Sequence, residues 1–326
     1  MKTRRHEELQ SVCLSVNSQW VTNIIVNSMD AEAIVNSPER GFLGHLAPSI
    51  PRHPYQGKDQ YLQYYEKMYQ QCLDDDDPEN ISSYFLVTQI TESAFLRDFP
   101  TDFDRSYPFS RWISFDPALD LLLVRMGKSR AHALAAGVFE GMMFEALEPT
   151  GMTRRHLDLI DSATCYAGNG NKEADKAWLP VRMPRGRSRD WPSAVLEVAY
   201  SETTSKLQSD IRYWFRASGG DVGLVYTIEI SRVLLSIIIE QWGTNDSGRH
   251  HREQLVVIKK KGEDTVVEGG PLVLGFEKLF LRAPGGKERD VEIGEEGFAF
   301  LADRVWTAQR EEKEIKERER DKRARR

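Results

Sequence analysis

Cysteine is scarce in this 326-residue chain: Cys13, Cys72 and Cys165 stand far apart and in no paired spacing. That argues against a disulfide framework and against a thiolate zinc site, and it fits a reducing compartment. Long apolar runs are also missing. The longest, "VLLSIIIEQW", is broken by Ser236 and Glu240 and falls short of the ~18 residues that span a bilayer, so no membrane partner is expected. No apolar h-region follows the basic start "MKTRRHEELQSVCLSVNSQW". A signal peptide is therefore not expected, and the expected location is intracellular, cytoplasmic or nuclear. Positive charge is not in excess, because the formal net charge is -6. A nucleic-acid partner would have to be held by a local basic patch. What is present, 40% hydrophobic and 29% charged residues, is enough for a globular core in one large or two modest domains.

Periodicity organises the rest. In residues 1–110, "EAIVNSPERGFLGHLAPSIPRHPYQG" reads as loop, being rich in Pro, Gly and Ser. "DQYLQYYEKMYQQCLDDDDPEN" reads as a helix with Leu62, Tyr65, Met68, Tyr69 and Cys72 on one face. The acidic run 74–77 lacks the spacing and the glycine of an EF-hand loop, so it reads as a solvated helix end. "SYFLVTQI" reads as a strand. "RWISFDPALDLLLVRM" predicts a hairpin turning at Asp116 and Pro117. A helix follows, capped by Ser129, buried through Ala135, Val138, Phe139, Met142, Met143 and Leu147, and ended at Pro149 to Gly151. "LDLIDSATCYAG", "KEADKAWLP" and "SAVLEVAY" offer one strand each. "SKLQSDIRYWFRASGG" predicts a helix with a Ser205–Gln208 capping box and Leu207, Ile211, Trp214 and Phe215 inward. Strands are then expected at "DVGLVYTIEI", "LLSIIIEQW", "QLVVIKKK" and "LVLGFEKLFLRA". The charged tail is read as a helix or a disordered end, with opposite charges at i, i+4 favouring helix.

The chemistry concentrates in "KEADKAWLPVRMPRGRSRDWPSAVLEVAYSET". Glu197 lies inside an apolar strand, where a charge costs several kcal/mol unless it is paired or binds a metal. Side chains alternate along a strand. Glu197 therefore shares a face with Val195 and Ala199. Asp175 shares one with Glu173 and Ala177, while Lys172 and Lys176 point the other way. If the two strands pair, Asp175 and Glu197 lie side by side. Such carboxylates repel, and one keeps its proton unless a divalent cation lies between them; Mg²⁺ (or Mn²⁺) suits an oxygen site of this kind.

The residues "NKEADKAWLP", "WPSAVLEVAYSET", "LQSDIRYWFRASGGDVGLVYTIEI" and "IIIEQW", in that order, resemble the PD-(D/E)XK nuclease superfamily. The resemblance is closest to uncharacterised fungal proteins of that type and covers roughly two-fifths of the chain. It implies an α/β fold: a mixed central sheet flanked by helices on a restriction-endonuclease-like core at 111–242. Around that core stand an N-terminal extension at 1–110, a β-rich C-terminal extension at 243–302 and a charged tail at 303–326. It implies that Asp175 and Glu197 are metal carboxylates, with Glu140 or Glu145 contributed by the preceding helix. Two positions depart from the pattern: Ala174 replaces the proline, and Ala199 stands where the catalytic lysine belongs. Lys172, Lys206 and Arg212 are the candidate stand-ins. The implied activity is Mg²⁺-dependent phosphodiester hydrolysis of nucleic acid, with Arg182, Arg185, Arg187 and Arg189 gripping phosphates. The rival reading, prompted by Ala199, is a non-catalytic nucleic-acid- or protein-binding scaffold that keeps the fold. Glu197 would then be an ion-pair partner, to Arg212 or another base. His132, His250 and His251 read as surface residues, and Trp178, Trp191 and Trp214 as core.

Overall fold

The structure, a computed structural model, describes residues 31–39, 41–74, 83–99, 109–127, 129–160, 164–167, 170–200 and 204–324. The fold is mixed α/β, with two large mixed sheets flanked by helices. The first sheet holds β1 (Arg52–Pro54), β2 (Tyr84–Thr88), β3 (Trp112–Asp116), β4 (Leu121–Arg125), β6 (Thr164–Ala167) and β7 (Gly170–Glu173), in the order β1-β2-β4-β3-β7-β6. Only its β1–β2 pair is parallel. Helices α1 (Lys58–Asp74) and α2 (Glu92–Asp98) cover one face through an aromatic cluster that includes Tyr61, Tyr65, Phe85, Phe95 and Phe99. Helix α1 buries Tyr61, Tyr65 and Met68 while Leu62 is exposed, so its inner face is rotated from the expected one. The acidic run beyond residue 74 lies outside the described residues.

The second sheet has the order β13-β12-β11-β10-β9-β8-β5. Its strands are β5 (Leu157–Leu159), β8 (Lys176–Pro180), β9 (Ala194–Tyr200), β10 (Leu224–Ile230), β11 (Ser236–Thr244), β12 (His250–Lys261) and β13 (Asp264–Glu268). Strands β9 and β10 run parallel; the other pairs are antiparallel. Helix α4 (Thr204–Ala217) supplies the crossover between β9 and β10. Alternation separates two cores. Leu196, Val198, Tyr226 and Ile228 face α3 (Arg130–Leu147) and the later helices, while Val195 and Val225 face α4. Glu197 is therefore on the α4 face, as its period-2 neighbours require.

Helix α3 begins and ends where its caps place it. Ser129 Oγ accepts from His132 N at 3.1 Å, and Gly151 has a φ of 85°. The start of α4 differs from expectation: the helix includes Thr204, and Ser205 Oγ accepts from Ala47 N instead of capping. Residues 32–35, read as loop, belong to a helical stretch that begins at Ala31. "LVLGFEKLFLRA" holds a short strand, β14 (Leu272–Leu274), and a short helix, α5 (Phe276–Phe280); β15 (Val291–Ile293) completes a two-stranded sheet. Gly275 is the N-cap of α5 and ends the run of alternation. The tail belongs to one helix, α6 (Glu295–Ala324), which buries Phe298, Leu301, Val305 and Trp306 in the core it shares with α3.

These elements cut across the divisions drawn from the sequence. β1 and β2 share a sheet with the β3–β4 hairpin, β11 runs through residue 242, and α6 crosses residue 303. Among the described residues, no helix is long and apolar enough to cross a membrane.

Candidate functional site

The segment "KEADKAWLP" is two strands in two sheets. β7 ends at Glu173, the chain bends at Ala174 and Asp175, and β8 begins at Lys176. The single-strand alternation expected for this segment therefore breaks at the bend. Lys172 keeps its place in the first sheet and turns toward Glu197 in the second. β8 and β9 do pair, and their ladder ends at Lys176 opposite Leu196, one residue short of Asp175 and Glu197.

Their charges are met by basic side chains. Lys172 Nζ lies 3.0 Å from Glu197 Oε1 and 2.7 Å from Asp210. Lys206 Nζ lies 3.1 Å from Glu197 Oε2 and 2.7 Å from Asp210. Trp214 Nε1 donates to Glu197 Oε1 at 2.8 Å. Lys206, Asp210 and Trp214 recur every fourth residue along α4, so one helical stripe delivers all three. The two lysines and two acids balance to zero, and none of the four side chains is more than 1% exposed. The indole of Trp214 and the ring of Tyr84 each lie 5.8 Å from an ammonium, Lys172 and Lys206 respectively. This square of charges joins β7, β9 and α4, and so ties both sheets to the helix between them.

Asp175 sits beside it, 6% exposed. Its Oδ2 accepts from Val198 N at 3.0 Å; its Oδ1 meets Arg125 Nη1 at 3.2 Å and His132 Nε2 at 3.0 Å. Burial alone would raise its pKa. The charge and hydrogen bond of His132, then Arg125 and Lys206, overcome this and hold it well below the usual carboxylate range. Burial likewise works against the charge of Lys206, but Asp210 and Glu197 hold its pKa well above the ordinary lysine value.

The other expected site residues lie apart. Glu140 is buried but pairs with Arg154 at 2.5 Å and Lys176 at 2.7 Å. Glu145 is exposed. Arg212 turns to the opposite side of α4, where it donates to the Glu39 carbonyl. Ala199 is 1% exposed. The arginine loop leaves β8 at Pro180, five residues beyond Asp175 and so about 16 Å along the strand at 3.3 Å per residue. Within that loop Arg187 is tied to Asp221 and to the carbonyls of Trp191 and Asp221, and Arg189 to Asp158. Arg182 lines a cleft of about 550 Å³ with Arg155, and Arg185 is exposed.

Arg125, His132, Asp210 and Tyr84 complete the cluster, and sequence reasoning did not assign them to it. His132 was read as a surface residue, yet it is 4% exposed. The available signal was its position one turn before Ala135 and Ala136 on the buried stripe of α3. Among the described residues, no group of three His, Cys, Asp or Glu side chains is arranged to hold a metal ion.

No family model matches this chain, and no curated protein matches it. A solved structure described as a "putative nuclease belonging to DUF820", from Anabaena variabilis ATCC 29413, is similar over 65% of this chain and 99% of that one, with 12% identity and a TM-score of 0.36.

Proposed function

We propose that this chain is a non-catalytic binding protein in which the place of a nuclease metal site is filled by its own lysines. The observation that carries this reading is the neutral square of Lys172, Lys206, Glu197 and Asp210, at most 1% exposed. Magnesium needs carboxylate lone pairs together with positions for water and substrate phosphate. Here Glu197 Oε1 meets Trp214 and Lys172, Glu197 Oε2 meets Lys206, and Asp175 is held by Arg125, His132 and a backbone N–H. That donor set does not fit a hydrated divalent cation. The square instead does structural work, because removing any one member leaves a buried charge uncompensated.

The partner we favour is nucleic acid, held through phosphates by Arg182, Arg185 and Arg155 at the far end of the β8–β9 pair. Arg282, in the same cleft, has its charge answered by Glu288 at 2.6 Å. A second reading, a Mg²⁺- or Mn²⁺-dependent phosphodiesterase using Asp175, Glu197, Lys172 and Lys206, is favoured by one observation. The β8–β9 ladder ends one residue short of both acids, where Glu197 meets two ammonium groups.

One experiment separates the two. The purified chain is incubated with labelled single- and double-stranded DNA and RNA, with Mn²⁺ or with EDTA. Binding without cleavage is expected, with affinity falling steeply as salt rises. Mn²⁺-dependent cleavage that disappears in Glu197→Gln would establish the hydrolase reading instead.

A further inference from the structure

Helix α4 carries a second set of charges on the side away from Glu197. Arg212 and Arg216, one turn apart, reach a strap formed by residues 37–39 and 41–47. Arg212 donates to the Glu39 carbonyl, and Arg216 donates to the same carbonyl at 3.2 Å and to that of Ser37. The strap is pinned from the other side by Asp116, whose Oδ2 accepts from Phe42 N at 2.5 Å and Leu43 N at 2.9 Å. Gly41 permits that approach: its φ is +74°, and a Cβ there would fall 2.6 Å from Asp116 Oδ2.

The two guanidinium groups have no carboxylate partner among the described residues. Asp116 spends both oxygens on backbone N–H groups, its Oδ1 on Ala118 N at 3.1 Å. The Glu39 carboxylate lies against His45 at 3.2 Å. Arg212 is 1% exposed, and its Nε has no acceptor among the described residues. Burying the Arg212 cation is costly, and the charges of Glu39 and Asp116 offset part of that cost. The pKa of Arg212 is lowered, first by burial and then by the charge of Arg216; burial lowers that of Arg216.

A cavity of about 350 Å³ opens beside this pair, lined by both arginines and by Glu39, Phe42, Tyr213 and Ala118. The Phe42 and Tyr213 rings lie 4.7 Å apart, centroid to centroid. Small-molecule sites have this character: an apolar wall and a few convergent polar groups.

We propose that this cavity binds a small phosphate monoester carrying a planar ring, its phosphate on Arg212 and Arg216 and its ring against Phe42 and Tyr213. Two guanidinium groups on one wall can share the oxygens of one phosphate, and the guanidinium fork matches those oxygens better than an ammonium would. The aromatic wall gives a planar ring a face to pack on, which inorganic phosphate cannot use. This site lies apart from the Glu197 square and does not depend on the function proposed above.

Calorimetric titration of the full chain with phenyl phosphate, and separately with inorganic phosphate, tests it. Saturable one-to-one binding of phenyl phosphate is expected, about tenfold or more tighter than inorganic phosphate, which corresponds to about 1.4 kcal/mol. Arg216→Gln, at an exposed position, should weaken phenyl phosphate by about tenfold or more, as loss of a charge-assisted hydrogen bond does. Phe42→Leu should narrow the gap between the two probes, and circular dichroism confirms that each variant is folded. No saturable binding, equal affinity for the two probes, or unchanged binding in folded Arg216→Gln would each overturn the assignment.

Discussion

Replacing Glu197 by Gln opposes two effects whose sizes can be set against each other. Burial and the negative charge of Asp210 push the Glu197 carboxyl pKa upward. Taken alone, that direction makes the charge a burden above the unfolded carboxylate pKa, and its removal a relief. That direction already counts the pull of Lys172 and Lys206; what the substitution adds is two stranded ammonium groups, now at 3.0 Å and 3.1 Å from the carboxylate. A contact of that length is worth about 5 kcal/mol of Coulomb attraction at an effective dielectric of about 20. Gln keeps the shape and an acceptor for Trp214 but leaves two buried cations facing one anion. The lysine side decides, and a loss of about 3–5 kcal/mol is expected at pH 7. That is a large part of a typical total of about 5–15 kcal/mol. The raised pKa of Lys206 has the matching sign. Its contribution is fully present below the unfolded value of about 10.4 and is lost as pH climbs through the folded value, so pH 7 measures all of it. The assay is urea denaturation in EDTA, comparing the parent, Glu197→Gln, and Glu197→Gln combined with Lys172→Met. The double variant restores a one-to-one balance and should recover most of the loss. A single variant as stable as the parent, or a double variant no better than the single, would refute the structural account of the square.

Three further outcomes are expected. Stability should fall as pH drops below about 4, because Asp175 is held below its unfolded pKa and gives up that contribution on protonation; Asp175→Asn should flatten this limb of an acid titration followed by circular dichroism. In the arginine loop, Arg187→Ala should cost about 1–3 kcal/mol in chemical denaturation, since it strips donors from half-buried carbonyls. Arg182→Ala and Arg185→Ala should stay within about 0.5 kcal/mol of the parent, as exposed substitutions do, while weakening nucleic-acid binding and its salt dependence. In α6, deletion from Glu314 onward should leave the melting temperature unchanged, because burial in that helix ends at Ala308; Trp306→Ala should cost about 3–5 kcal/mol by emptying a packed site.

The sequence by itself determined the features that depend on local chemistry. The caps of α3, the hairpin at Asp116 and Pro117 and the inward stripe of α4 follow from spacing and turn residues. So does the face on which Glu197 sits, because alternation along a strand is a property of the backbone. That Glu197 needed a partner was legible from its apolar neighbours alone. Which partner it has was not. Lys172 was read as pointing away from the acids because "KEADKAW" alternates as one strand would. The chain instead changes sheets at Ala174 and Asp175, and no local preference encodes a crossing between two sheets. The burial of His132 against Asp175, the separation of Arg212 from Glu197 and the distance of the arginine loop from both acids likewise depend on where α3, α4 and β8 pack. Charge pairing at about 3 Å is decided by that packing. A sequence supplies the charges but not the distances between them.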